Sequence, residues 1–205
     1  MLHPYTPPKD NYSVEYIIDR QYDKFIDEFI NAGRDIVINA MPITISETSQ
    51  ITKIHYQKYS EQESRIVSSD RTYEEIFLHL CSVEKGRDYN VPCKNKEPYS
   101  LCQNQDYTIH LNGKYRNICL YRVCRIHWIA KILQMLKCPD DNNIGLYYNE
   151  DTEKLYCLYT QRTKNNIQYY VIIFKQLKYS NRLVTAYPIT VLGDVKTIRK
   201  YKKIN

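Results

Sequence analysis

Three stretches decide the fold: Leu155–Thr160 (LYCLYT), Ile167–Lys175 (IQYYVIIFK) and Arg182–Tyr187 (RLVTAY). Each is short, dense in β-branched and aromatic residues and bounded by turn-forming residues, which is how strands read. Pro188 is expected to close the last one. Upstream, Tyr107–Leu111 and Lys114–Tyr121 flank Asn112 and Gly113, and an Asn-Gly pair between alternating runs is a strong hairpin signal. Between hairpin and strands, Ile126, Ile129, Ile132, Leu133 and Leu136 form one apolar stripe, predicting a helix over Val123–Lys137 that ends before Pro139. A helix packed on a small antiparallel sheet makes an α+β fold.

The N-terminal part reads differently. Pro4, Pro7 and Pro8 predict an extended arm. A helix follows, with Ser13 as its N-cap, Ile18, Tyr22, Phe25, Ile26, Phe29 and Ile30 at helical spacing, and Gly33 as its stop. Asp35–Ile45 and Gln50–Tyr59 alternate and predict strands. Thr72 and Glu75 fit a capping box for a second helix that buries Tyr73, Ile76, Phe77 and Leu80. Residues 84–105, with Gly86, Pro92 and Pro98, predict a loop or linker. The expected division is therefore an N-terminal region over 1–100 and a second domain over 105–205.

Composition excludes several chemistries. The 205 residues are 43% hydrophobic and 25% charged, ordinary for a globular chain. The five glycines are too far apart to form a phosphate-cradling loop, so dinucleotide and P-loop chemistry are excluded. The seven cysteines include no CxxC pair and the five histidines are widely spaced, so neither a metal site nor a cofactor is expected. An odd cysteine count without framework spacing predicts reduced thiols buried as small apolar groups in a cytoplasmic, reducing compartment, of its own cell or of one into which the chain is delivered. Cys93 and Cys102 could pair in an oxidising setting. No apolar run reaches the roughly 20 residues of a membrane span.

The net charge of +6 is unevenly placed. Residues 1–110 hold 12 Lys and Arg against 17 Asp and Glu, a balance of −5, and residues 111–205 hold 17 against 6, a balance of +11. A basic balance on that scale suits a surface that meets phosphate, of nucleic acid or of anionic lipid. A Lys-rich surface with no such partner is the plain alternative. Tyrosines interleave with the cations at Tyr147, Tyr148, Tyr156, Tyr159, Tyr169 and Tyr170, a pattern suited to single-stranded RNA because rings stack on bases while cations hold phosphates. Glu150, Asp151 and Glu153 resemble a carboxylate site, but between strands they read as a solvated turn.

Two further stretches carry a family resemblance. Arg125, Ile126, His127, Trp128 and Ile129 lead to Leu133 and then to Pro139 and Asp140; after two tyrosine-rich strands come Leu183, Val184, Thr185, Ala186, Tyr187, Pro188 and Ile189. This ordered set resembles the phage-associated branch of the nuclease superfamily that unites barnase, EndoU, colicin and RelE domains, over about Lys114–Lys200. The resemblance implies a metal-independent endoribonuclease, a toxin or effector whose target is cellular RNA and which has a cognate inhibitor protein as a second partner. In such a reaction the 2′-hydroxyl attacks the adjacent phosphate, which requires a proton-transfer group and cations. The implied catalytic set is His127, Thr185, Tyr187 and Arg125, with Arg122, Lys131, Arg162, Lys175 and Trp128 as RNA contacts.

Each assignment has an ordinary structural alternative. At about 100° per residue, His127 falls opposite Ile129 and Leu133, which predicts an exposed imidazole, in a site or merely in solvent. Trp128 is either a core-edge ring or a stacking platform. Alternation predicts Leu183, Thr185 and Tyr187 on one face of the last strand, with Thr185 and Tyr187 towards a cleft if Val184 and Ala186 pack under the helix. The tail containing Lys196, Arg199, Lys200, Lys202 and Lys203 is expected to order only on RNA. The competing function is a non-catalytic protein whose basic sheet binds RNA or an acidic partner; a third is an adaptor for anionic membranes.

Overall fold

The computed structural model describes residues 1–7, 13–31, 36–45, 53–57, 64–68, 73–84, 108–111, 113–137 and 142–204, with 53–57, 64–68 and 110 described by backbone alone. The expectations placed on Gly33, Thr72, Asn112, Pro139, Cys93, Cys102 and most of 84–105 lie outside these residues. The fold is α+β, as expected, and among the described residues no helix is long and apolar enough to cross a membrane. The chain divides into two compact units that are not consecutive in sequence: 1–3, 24–45 and 125–205 form one, and 4–23 and 46–124 the other.

The first unit is built on a seven-stranded sheet. Its strands are β1 (Val37–Ile38), β2 (Met41–Thr44), β8 (Ile144–Asn149), β9 (Lys154–Arg162), β10 (Ile167–Gln176), β11 (Asn181–Ile189) and β12 (Lys202–Lys203), in the order β1-β2-β11-β10-β9-β8-β12. All neighbours are antiparallel except β2 and β11. The central strand β10 is apolar on both faces, because Tyr170, Val171, Ile172, Ile173 and Phe174 are all buried. Both faces must therefore be covered. Helix α4 (Trp128–Met135) accompanies the first, where Trp128 meets Tyr170 and Tyr159 with ring centroids 5.7 and 6.4 Å apart. Helix α5 (Leu192–Ile198) covers the other, where Val195 and Ile198 join Leu158, Val171 and Ile173.

Several expectations are corrected here. The tail is not disordered: α5 and β12 are part of the fold, with β12 paired on β8 through Lys202↔Tyr148 and Lys203↔Tyr147. β8 is hidden in the sequence, because Gly145 and a polar flank interrupt its apolar pattern. Asp35–Ile45 is not one strand but the hairpin β1–β2, turning at Asn39 and Ala40 with φ of 52° and 60°. Pro188 does not end β11; it sits in register with Tyr170, where β2, paired only at Asn181 and Arg182, no longer flanks the strand. The helix expected over Val123–Lys137 is two helices, α3 (Leu120–Val123) and α4, joined by a tight turn in which Trp128 N–H donates to the Arg125 carbonyl at 2.9 Å. No Gly or Pro marks that break, so periodicity alone reads through it.

Helix α1 (Val14–Lys24) is capped as expected, with Tyr16 N–H donating to Ser13 Oγ at 3.1 Å, and it continues as a π-helical stretch over Phe25–Asn31. That stretch packs against α4 and buries Phe25, Phe29 and Ile30.

The second unit carries a five-stranded sheet, β4-β3-β6-β7-β5, from β3 (Lys53–Gln57), β4 (Ser64–Ser68), β5 (Ser82–Glu84), β6 (Thr108–Leu111) and β7 (Lys114–Ile118). The hairpin β6–β7 forms as predicted: Leu111 pairs with Lys114, and Gly113 takes the φ of +74° that the turn needs. Helix α2 (Glu74–Cys81) buries Phe77, Leu78 and Leu80, and Phe77 meets Tyr22 edge to face at 5.3 Å. Tyr73 and Ile76, expected in the stripe, are only half-buried. Cys81, Cys119, Cys124 and Cys157 are buried and form no disulfide, in keeping with small packing groups. Burial pushes the Cys157 thiol up to about 12.

Ala40 occupies the left-handed region, which costs a side chain about 1–2 kcal/mol and glycine almost nothing. Part of that gain is offset by the greater freedom of glycine in the unfolded chain. Ala40→Gly is therefore expected to raise stability by about 0.5–1 kcal/mol, read as a higher midpoint in urea unfolding.

Candidate functional site

On the α5 face of the first unit, where α5 ends beside β8 and β9, a cleft of about 270 Å³ opens. Alternation along the strands sets its floor: Gly145 and Tyr147 of β8 and Leu158, Thr160 and Arg162 of β9 share this face, while Leu146, Cys157 and Tyr159 point to the other. Gly145 leaves room for the Tyr147 ring, since a Cβ there would lie 2.7 Å from Tyr147 Cε2. The turn at Asn142 and Asn143 forms another wall, held by Thr160 N–H donating to the Asn143 carbonyl at 2.7 Å.

Three cations reach this cleft from three elements. Arg162 ends β9, Arg199 follows α5 and Lys203 lies on β12. All three are exposed, and the Arg199 guanidinium stands over the Tyr169 ring at 5.6 Å. Among the described residues, the lining includes no carboxylate and no imidazole. By contrast, the acidic turn after β8 is neutralised elsewhere: Glu153 pairs with Lys175 at 2.6 Å and Glu150 with Lys202 at 3.6 Å. The Lys175 ammonium holds the Glu153 carboxyl below its ordinary range.

The nine residues expected from the sequence do not converge. His127, Trp128 and Arg125 belong to the α4 face, whereas Thr185 and Tyr187 lie on the α5 face, so the sheet separates them. Within β11, Val184 is the extra residue of a bulge between Leu183 and Thr185, which turns Leu183 to the α4 face together with Ala186. Thr185 and Tyr187 share a face as predicted and both are half-buried there, Tyr187 packing on the cluster that contains Val195 and Ile198.

The expected exposure of His127 is corrected. Its residue is only 5% exposed, because it lies in the turn before α4 and not on that helix's outer face, and because the Leu2–His3 segment covers it. Nε2 donates to the His3 carbonyl at 3.0 Å, and Trp128 Nε1 donates to the same oxygen at 3.0 Å. Leu2 is held by a two-way bond: its N–H donates to Gln161 Oε1 at 2.6 Å, and Gln161 Nε2 donates to its carbonyl at 3.0 Å.

Trp128, 1% exposed, is a core ring and not a stacking platform. Arg125 is also buried, with its guanidinium 5.3 Å from the Trp128 ring. Arg122 belongs to the second unit and donates to the Ser82 carbonyl at 2.9 Å. Lys175 is committed to Glu153, and Lys131 is exposed on α4. Of the nine, Arg162 alone lines the cleft; Arg199 and Lys203 were visible in the sequence only as tail charge, and Asn142, Asn143 and Gly145 carried no signal.

Burial foremost, with the Lys131, Lys24 and Arg125 charges, lowers the His127 pKa to about 4, against the bond to His3 that raises it. Burial, with Arg116 and Arg122, takes His79 in the second unit to about 4 as well. An unfolded chain protonates these imidazoles near 6.5. Between about 6.5 and 4 the folded state therefore binds fewer protons, and stability falls as pH drops through that window. His127→Gln should be less stable than the parent at pH 7 yet lose roughly 2 kcal/mol less between pH 7 and 4, measured by urea unfolding; equal losses would contradict a buried neutral imidazole. No protein-family model, no curated protein and no solved structure matches this chain.

Proposed function

We propose that this protein binds single-stranded RNA through the first unit, with the cleft as the principal phosphate contact. The observation that carries this reading is the meeting of Arg162, Arg199 and Lys203 in one cleft, with no carboxylate in its lining among the described residues. Like charges brought together repel, and an anion relieves that repulsion. Arginine in particular presents a planar fork that matches phosphate oxygens. Regrouping the charges by unit supports the same surface: the first unit holds 16 Lys and Arg against 9 Asp and Glu, a balance of +7, and the second 13 against 14.

RNA cleavage, which the family resemblance implied, would need a proton-transfer group other than His127. His127 is buried, has its pKa lowered to about 4 and donates to the His3 carbonyl, which favours a structural role for it. The binding reading asks nothing more of the cleft than its cations, amides and hydroxyls.

Affinity for a short unstructured RNA should fall with salt at about −0.7 per phosphate contact. Replacing Arg162, Arg199 and Lys203 together by Gln should flatten the logarithmic slope by about 2. Replacing Lys137, Lys164 and Lys178, which are exposed and outside the cleft, removes the same charge and should change the slope much less. Equal effects of the two triple variants would place the contact elsewhere. Incubating labelled RNA with the protein and EDTA reads the competing function directly, since shortened products mean cleavage and intact RNA means binding alone.

A further inference from the structure

We propose that the cleft is a subsite for a phosphomonoester, the doubly ionised phosphate that ends an RNA strand, and not for the internal phosphodiesters of a strand passing through. This rests on the RNA-binding reading above for the source of the phosphate, but the cleft's own chemistry selects its form.

Charge makes the first argument. An internal phosphodiester carries one negative charge, which one cation balances. A terminal phosphate carries about −1.5 to −2 near neutral pH and an additional acceptor oxygen. Three cations from three elements, with no carboxylate among the described residues around them, match the second far better than the first.

Shape makes the second. A groove that tracks a strand runs past several nucleotides. Here about 270 Å³ is bounded by the Asn142–Asn143 turn and by the Tyr147 ring lying over Gly145, a volume suited to a phosphate with its attached sugar. The cleft is also built in advance. The Arg199 guanidinium is placed over Tyr169, the Lys203 backbone is held by its strand pairing with Tyr147, and Thr160 N–H is anchored to the Asn143 carbonyl. The hydroxyl of Thr160 and the amides of the two asparagines add uncharged partners to the cations.

A terminal phosphate on a strand and the phosphate of a free nucleotide share this chemistry, and the experiment separates them. One RNA sequence is prepared with a 5′-phosphate, with a 3′-phosphate, or with hydroxyls at both ends, and each is bound to the full chain by fluorescence anisotropy; a free nucleoside 5′-monophosphate serves as competitor and is also titrated alone by calorimetry. One phosphorylated form should bind about tenfold tighter than the hydroxyl-ended strand, the scale of a charge-assisted contact. Arg162→Gln or Arg199→Gln should erase most of that advantage. Gly145→Ala should erase it too without altering charge, because the new methyl must displace the Tyr147 ring, and unchanged thermal unfolding confirms that the variants are folded.

If the mononucleotide competes as well as the phosphorylated strand, free nucleotides are the source and the cleft assignment stands. If all three strands bind equally and the mononucleotide does not compete, the phosphomonoester site is overturned while RNA binding survives. If no RNA binds but the mononucleotide does, the RNA reading fails and the cleft assignment holds. Binding of neither overturns both.

Discussion

The two-sided burial of β10 is the constraint on which the first unit depends. Tyr170, Ile172 and Phe174 face one way and Val171 and Ile173 the other, and none can be left in water. Fully burying side chains of this size contributes about 1.5–3 kcal/mol each, which sets the scale of the penalty for leaving either face bare. One cover is α4, backed by the π-helical stretch, which comes from residues more than a hundred positions upstream of the strand. The other is α5, made from the basic tail. The tail is therefore ordered by the sheet's need for a second layer, and its charges are carried to fixed places.

That same two-sided cover assigns chemistry to the faces. On the α4 side the polar atoms of His127, Trp128 and Gln161 are spent on the carbonyls and amide of Leu2 and His3, which satisfies groups that would otherwise be buried without partners. On the α5 side the helix is only Leu192–Ile198. The cleft opens there, with Arg199 just past the helix end and Lys203 on the edge strand that follows. A short cover over a broad sheet leaves a rim, and this rim is basic.

The cleft and the acidic turn show how little a net charge says about a site. Glu150 and Glu153 follow β8 directly, yet their partners are Lys202 and Lys175 and neither lines the cleft. Lys202 and Lys203 are adjacent in sequence, and alternation along β12 separates their side chains, one beside Glu150 and one in the cleft. Neighbours in the chain thus serve a surface ion pair and a candidate anion site.

Much of the architecture was legible because it follows from local rules. The three tyrosine-rich strands, the Asn-Gly hairpin, the Ser13 cap and the absence of glycine-rich phosphate loops are all properties of short windows, and the structure places the strands, the hairpin and the cap where those windows put them. The basic character of the C-terminal half was equally a matter of counting. Helical extrapolation to His127 failed because the chain turns between α3 and α4 without a Gly or Pro to announce it, and because the segment that buries His127 comes from the other end of the sequence. The facing of Leu183 was hidden by a bulge at Val184, which inserts one residue into a period of two. What the amino-acid sequence by itself determined was the three long strands, the Asn-Gly hairpin, the Ser13-capped helix and the distribution of charge, since propensity, periodicity and turn chemistry act over a few residues. Which residues share a face, which imidazole loses its water and which three cations meet were decided only by tertiary packing, because those relations join positions 2, 145, 162, 199 and 203 that no local rule connects.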